Sequence, residues 1–102
     1  MITIRHRTGP LANTVQTPAG RDSHRIVFGR DPAACDVVFP AGLTLVARRH
    51  FALVRKPSGA WVVEQFGDPY VGVNGQPAEV GQEVHSGDVI ELGQPGGPGV
   101  AI

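Results

Sequence analysis

The segment HFALVRKPSGAWVVEQF, residues 50–66, contains an alternating stretch, HFALVRK, and a second mostly apolar stretch, AWVVEQF, separated by a Pro-Ser-Gly turn. Alternation with a period of two is typical of half-buried β-strands, and clusters of Pro, Ser and Gly are typical of the turns between them. In the first stretch the alternation places Phe51 and Leu53 on one face, with Arg55 next in the same row. The segment therefore predicts two strands joined by a turn, with one face on a core.

The same type of pattern continues in both directions from this segment. Asn74–Gly75 lies between extended residues, and this pair favours a two-residue hairpin turn because both residues tolerate positive φ. No segment offers about ten residues of helical periodicity free of Gly and Pro. We therefore expect an all-β sandwich or barrel of about nine to eleven short strands. Further strands are predicted within residues 2–7, 12–16, 24–30, 37–39, 89–92 and 100–102.

The length of 102 residues and a hydrophobic content of 41% predict one packed domain spanning residues 1–102. Cys35 is the only cysteine, which excludes an intrachain disulfide, and we expect it to be a small buried hydrophobic residue. No apolar stretch approaches the roughly 20 residues that span a bilayer, and no apolar signal segment begins the chain. We expect a monomeric cytoplasmic protein that does not contact membranes.

Charge is distributed unevenly along the chain. Residues 1–56 hold all nine Lys and Arg with three carboxylates, a formal +6, whereas residues 57–102 hold six carboxylates and no Lys or Arg. The first half could therefore form an anion-binding face, and nucleic-acid binding is one alternative. The acidic second half and the scarcity of aromatic residues count against nucleic acid. The excess of Arg over Lys suits forked contacts to phosphate, although genomic base composition explains it equally well.

The stretch VARRHF, residues 46–51, raises the question of why Arg48 and Arg49 stand side by side at the start of a strand. In combination with other elements of the chain, the stretch resembles the forkhead-associated (FHA) domain, and the resemblance covers about Ile26 to Leu92. These elements are Gly29–Arg30 after an apolar strand, Asp36 before VVF, RRHF at 48–51, Trp61, Asn74–Gly75, and Gly87–Asp88 before VIELG.

The resemblance implies a sandwich of two mostly antiparallel sheets with its ligand loops at one end. It also implies a signalling role in which the domain binds a partner protein or a phosphothreonine-containing peptide. A phosphate carries a charge of about −1.5 to −2 and three strong acceptor oxygens, which guanidinium groups bind well. By resemblance, Arg30 and Arg48 contact the phosphate, with Arg49 beside them and solvated. His50 braces the loops, and Gly29, Asn74 and Gly75 shape them.

Two departures from the family pattern fall at the binding site. The family motif Ser-Arg-x-His begins here with Ala47, which has no hydroxyl, in a loop that is longer than usual. Thr44 in that loop is a candidate for the missing hydroxyl. The family Asn of the later loop is replaced by Pro69, which has neither a side-chain donor nor an N–H, and Asp68 adds a like charge. We expect weak or atypical phosphothreonine recognition, and a phosphate-independent interaction domain is the alternative.

Catalytic and metal chemistry have little support in the sequence. The four His residues, at positions 6, 24, 50 and 85, include no pair at a short ligand spacing. The segment HSGD, residues 85–88, contains His, Ser and Asp, but neighbours in a turn cannot adopt triad geometry. We therefore expect no enzyme activity, no metal and no cofactor.

Overall fold

The computed structural model describes residues 2–17 and 24–102, and these residues form two β-sheets without any helix. No helix long and apolar enough to cross a membrane is therefore found among them. The strands of the described residues are β1 Ile4–Thr8, β2 Val15–Gln16, β3 Arg25–Gly29, β4 Val37–Val38, β5 Phe51–Arg55, β6 Trp61–Gln65, β7 Val71–Val73, β8 Gln76–Pro77, β9 Glu83–Val84, β10 Val89–Leu92 and β11 Gly99–Ala101.

The two sheets pack as a sandwich, as the resemblance implied. The first sheet has the strand order β2-β1-β11-β10-β7-β8, and the second has the order β4-β3-β5-β6-β9. Neighbouring strands are antiparallel except for β3 and β4, which are parallel. The predicted fold class, all-β with about nine to eleven strands, is confirmed.

The inward rows of the two sheets form one continuous apolar core. Phe28 of β3 and Phe51 of β5 are fully buried and stack with ring centroids 4.4 Å apart. Leu53 and Ile90 are also fully buried and belong to the same cluster. Each such side chain contributes roughly 1.5–3 kcal/mol through burial. The period-two pattern of residues 50–66 therefore predicts correctly which face of β5 lies on the core.

The Asn74–Gly75 hairpin also has the predicted geometry. Both residues have positive φ, 52° and 84°, and they connect β7 to β8 with Val73 opposite Gln76. The sequence did not predict β9, because its two residues are too few to show alternation.

Strand directions place the connecting loops at two ends of the sandwich. β3 ends where its antiparallel neighbour β5 begins, and β6 ends at the same side. We call this side the apical end, and the opposite side the basal end. The apical end carries loops 30–36, 39–50 and 66–70, and the basal end carries turns 56–60, 74–75 and 85–88.

Candidate functional site

Arg30 is the first residue after β3, and its side chain turns into the long loop 39–50. Its Nε donates to the carbonyl of Val46, and its Nη1 donates to the carbonyl of Ala41 at 2.9 Å. These two bonds use two of the five N–H donors of a guanidinium, so the described residues leave three for a ligand. Arg30 therefore holds the loop and still presents positive charge.

The main chain around Arg30 runs directly beside the main chain around Arg48. The Arg30 N–H donates to the carbonyl of Ala47, and the Asp31 N–H donates to the carbonyl of Arg48, both at 3.1 Å. The Cys35 thiol donates to the same Arg48 carbonyl at 3.1 Å. The two arginines predicted to contact phosphate are thus brought together at the apical end by backbone hydrogen bonds.

Gly29 makes this close approach possible. A Cβ on Gly29 would lie 2.2 Å from the carbonyl oxygen of Arg48 and 2.8 Å from the Sγ of Cys35. Real Cβ atoms essentially never come within 3.0 Å of another heavy atom, so a side chain here would displace the Arg48 backbone. Gly29 therefore shapes the site by allowing two main-chain segments to touch.

His50 connects two of the apical loops. Its Nδ1 accepts from the Ala47 N–H at 2.9 Å, and its Nε2 lies 2.7 Å from the carbonyl of Tyr70. Because Nδ1 accepts, Nε2 carries the proton and donates to Tyr70. Burial of the ring lowers the pKa of His50, which favours this neutral form. His50 is thus hydrogen-bonded to both loop 39–50 and loop 66–70.

The side chain of Arg48 points into solvent, and 77% of it is exposed. Its Nη2 lies 3.9 Å from the Oδ2 of Asp31, which is a long ion pair. An exposed pair of this kind is worth about 0–1 kcal/mol, so Asp31 is a weak competitor for an incoming anion.

The side chain of Arg49 packs on an aromatic ring. Its guanidinium lies 4.5 Å from the ring centroid of Phe66, and Arg25 approaches the same ring at 5.3 Å. Phe66 packs beside Val27 and Ala52, on the face of the second sheet that points away from the core. Arg49 is exposed but stacked on an aromatic face, whereas the resemblance implied only solvation.

The positions that depart from the family pattern lie in the apical loops. Ala47 is half-buried, and its N–H is already bound to His50. Thr44 is exposed in the same loop. Asp68 is exposed and Pro69 is half-buried in loop 66–70, just before the braced Tyr70.

Asn74 and Gly75 lie at the basal end, where the side chain of Asn74 braces turn 85–88. The Nδ2 of Asn74 donates to the Oδ1 of Asp88 at 3.0 Å, and the Oδ1 of Asn74 accepts from the Val89 N–H at 3.0 Å. The Asn74 amide, and then the His85 N–H, hold the pKa of Asp88 below its ordinary value. Asn74 therefore supports turn 85–88 rather than the apical loops that Gly29 and His50 support.

Cys35 is buried beside the apical loops, and burial raises the pKa of its thiol. A thiol of this kind is a poor nucleophile. The interpretation of Cys35 as a small buried hydrophobic residue is confirmed.

The model of the family described as the FHA domain matches residues 26–93 of the chain. The chain belongs to the FHA domain family. FHA domains are protein–protein interaction modules that bind phosphothreonine peptides. The expected family is thus confirmed, although no curated protein matches the chain.

Solved structures of other proteins have the same fold as this FHA domain. The N-terminal FHA domain of S. cerevisiae Rad53, solved with a phosphothreonine peptide, is 19% identical with a TM-score of 0.76, over 96% of this chain and 87% of that one. The FHA-1 domain of Mycobacterium tuberculosis Rv1747 is 24% identical with a TM-score of 0.71, over 96% and 89%. The cytoplasmic domain of the P. aeruginosa sorting platform protein PscD is 17% identical with a TM-score of 0.73, over 97% and 76%.

Proposed function

We propose that this FHA domain is a non-enzymatic interaction module that binds phosphothreonine peptides weakly, with Arg48 as its principal phosphate contact. The observation that carries the proposal is the position of Arg48, whose backbone is clamped to Asp31 while its side chain is 77% exposed. Arg30 supports the phosphate with the guanidinium N–H groups that loop 39–50 does not use. Thr44 is the one hydroxyl-bearing residue of loop 39–50 and is the candidate hydroxyl donor.

Weak affinity is expected because two side chains of the family pattern are replaced here. A hydrogen bond from a hydroxyl is worth about 1 kcal/mol, or roughly fivefold in affinity, and Ala47 cannot make it. The hydrogen bonds of the family Asn, which Pro69 cannot form, are worth about 1–3 kcal/mol more, because a peptide group of the ligand stays unpaired without them. The carboxylates of Asp31 and Asp68 reduce the attraction for phosphate further.

To test the proposal, binding of the domain to a phosphothreonine peptide library is compared with its binding to an unphosphorylated copy of the same library. Fluorescence anisotropy then measures the affinity for the selected peptides. We expect a preference for the phosphorylated set and about tenfold weaker binding by Arg48→Ala, which removes one charge-assisted hydrogen bond. Arg55→Ala, an exposed arginine at the end of β5 near the basal turn 56–60, is the matched control and should bind as the wild type does.

A gain of affinity is the stricter test. Ala47→Ser restores a hydroxyl at the family position and should tighten binding about fivefold, and Pro69→Asn in the same chain should tighten it again. Equal binding of both libraries, together with an Arg48→Ala variant that binds normally, would reject phosphate recognition. The phosphate-independent interaction domain would then be the better description.

A further inference from the structure

A wide cleft on the described surface lies away from the apical loops. It has a volume of about 900 Å³ and opens beside β1, next to turn 85–88 and the last strand. Its lining includes Ile2, Arg5, Arg7, Trp61, Ser86 and Ile102. We call this feature the basal cleft.

Two arginines give the basal cleft a positive charge. Arg5 and Arg7 alternate along β1 with the buried residues Ile4 and His6, so both guanidinium groups lie on the outer face of the first sheet. In the part of the chain that the structure describes, neither arginine forms an ion pair, and no acidic residue lines the cleft. The neighbouring strand presents the small residue Ala101 opposite Arg5, which leaves the arginine side chains accessible.

The remaining walls of the basal cleft are partly apolar. Trp61 is half-buried against the core, and Ile2 and Ile102 lie on the same lining. On the other side of the two arginines, a second cleft of about 380 Å³ is lined by Asn13 and by Val15, which is 55% exposed. Aromatic side chains and arginines are the groups that most often dominate binding at protein interfaces.

We propose that the basal cleft binds an acidic segment of a partner protein, in which Glu or Asp residues flank an apolar side chain. The carboxylates pair with Arg5 and Arg7, and the apolar side chain packs on Trp61. Charge complementarity selects this occupant, because Arg5 and Arg7 form no ion pair within the described residues. The surface is independent of the apical loops, so a phosphopeptide and an acidic segment can be held together.

Titration of the ¹⁵N-labelled domain with a capped Glu-rich peptide containing one leucine tests the proposal. We expect shifts at Arg5, Arg7, Ser86 and the indole N–H of Trp61, and binding that weakens as salt rises. Arg5→Glu and Arg7→Glu should each weaken binding about fivefold, the size expected for reversing one exposed charge contact. Arg48→Glu changes the net charge equally at the apical end and should leave this binding unchanged.

Several outcomes would overturn the proposal. Absence of shifts, shifts confined to loops 39–50 and 66–70, or equal weakening by Arg48→Glu would each reject a specific basal site. Tighter binding of a short DNA duplex at the same residues would assign the surface to nucleic acid. If the NMR signals of these residues shift when the protein concentration alone is raised, the cleft would instead be assigned to contact with a second copy of the domain. None of these results depends on whether the apical site binds phosphate.

Discussion

Gly29 offers the sharpest test of how the apical site is built, because its replacement by alanine forces a clash with main-chain atoms. The added Cβ would lie 2.2 Å from the Arg48 oxygen and 2.8 Å from the Arg48 carbonyl carbon. Reaching an acceptable separation near 3.0 Å requires a main-chain shift of roughly 0.8 Å, since no flexible side-chain end can yield there. The hydrogen bonds from Asp31 and Cys35 to the same oxygen would be stretched.

The expected cost follows from these contacts. Overpacking in a closely packed region costs about 1–3 kcal/mol, and each weakened hydrogen bond adds up to about 1 kcal/mol. We therefore expect Gly29→Ala to lower the free energy of unfolding by about 2–4 kcal/mol. For a chain of this size the midpoint of thermal unfolding should fall by about 10–25 °C.

Urea denaturation followed by the fluorescence of Trp61 measures the effect. Gly42→Ala is the matched control, since it lies in loop 39–50 and a Cβ there has no neighbour within 4 Å. The control should change the free energy of unfolding by less than about 0.5 kcal/mol. A Gly29→Ala protein as stable as the control would show that the contact with Arg48 does not determine the position of the loop.

Two further predictions concern titrating groups at the two ends of the sandwich. Burial lowers the pKa of folded His50 below its ordinary 6.5, so the unfolded chain binds the proton first. The free energy of unfolding is therefore at its full value above about pH 6.5 and falls as the pH drops through the lower pKa of His50 in the folded protein. His50→Gln should flatten this pH dependence, which urea denaturation at several pH values measures. A difference in the free energy of unfolding between the wild type and His50→Gln that stays the same at every pH would contradict this prediction. Asn74→Gly removes the side-chain amide without backbone strain and should raise the pKa of Asp88 toward its ordinary 3.8. Carboxyl NMR measures this pKa. An unchanged value would exclude the hydrogen bond from Asn74 as the cause of the lowered pKa.

The fold was predictable from the sequence wherever a strand was long enough to alternate or a turn required a particular residue. Residues 50–66 show both strands of a hairpin, and Asn74–Gly75 shows another turn, because side-chain period and positive φ are local properties. The two-residue strand β9 was not predictable, since its pairing with β6 depends on tertiary contacts rather than on its own pattern.

The candidate site was predictable only in part, through the family resemblance. Spacing indicated that Arg30, Arg48 and His50 belong together, and the backbone hydrogen bonds agree with that grouping. The spacing of residues along the sequence could not indicate that the guanidinium of Arg30 donates hydrogen bonds to carbonyls of loop 39–50, or that Arg49 stacks on Phe66. Long arginine side chains have many rotamers, and only the folded surroundings select among them.

At Arg48 the main chain and the side chain have different roles, because the carbonyl is hydrogen-bonded within the fold while the side chain faces solvent. The loop is held by three main-chain groups that nearly every amino acid possesses: the Ala47 carbonyl, the Ala47 N–H and the Arg48 carbonyl. Side chains at 47 and 48 are therefore free to vary with little effect on folding. Selection, natural or in a display library, can retune the preferred ligand at these positions on an unchanged frame, which makes this domain a suitable starting point for engineered affinity reagents.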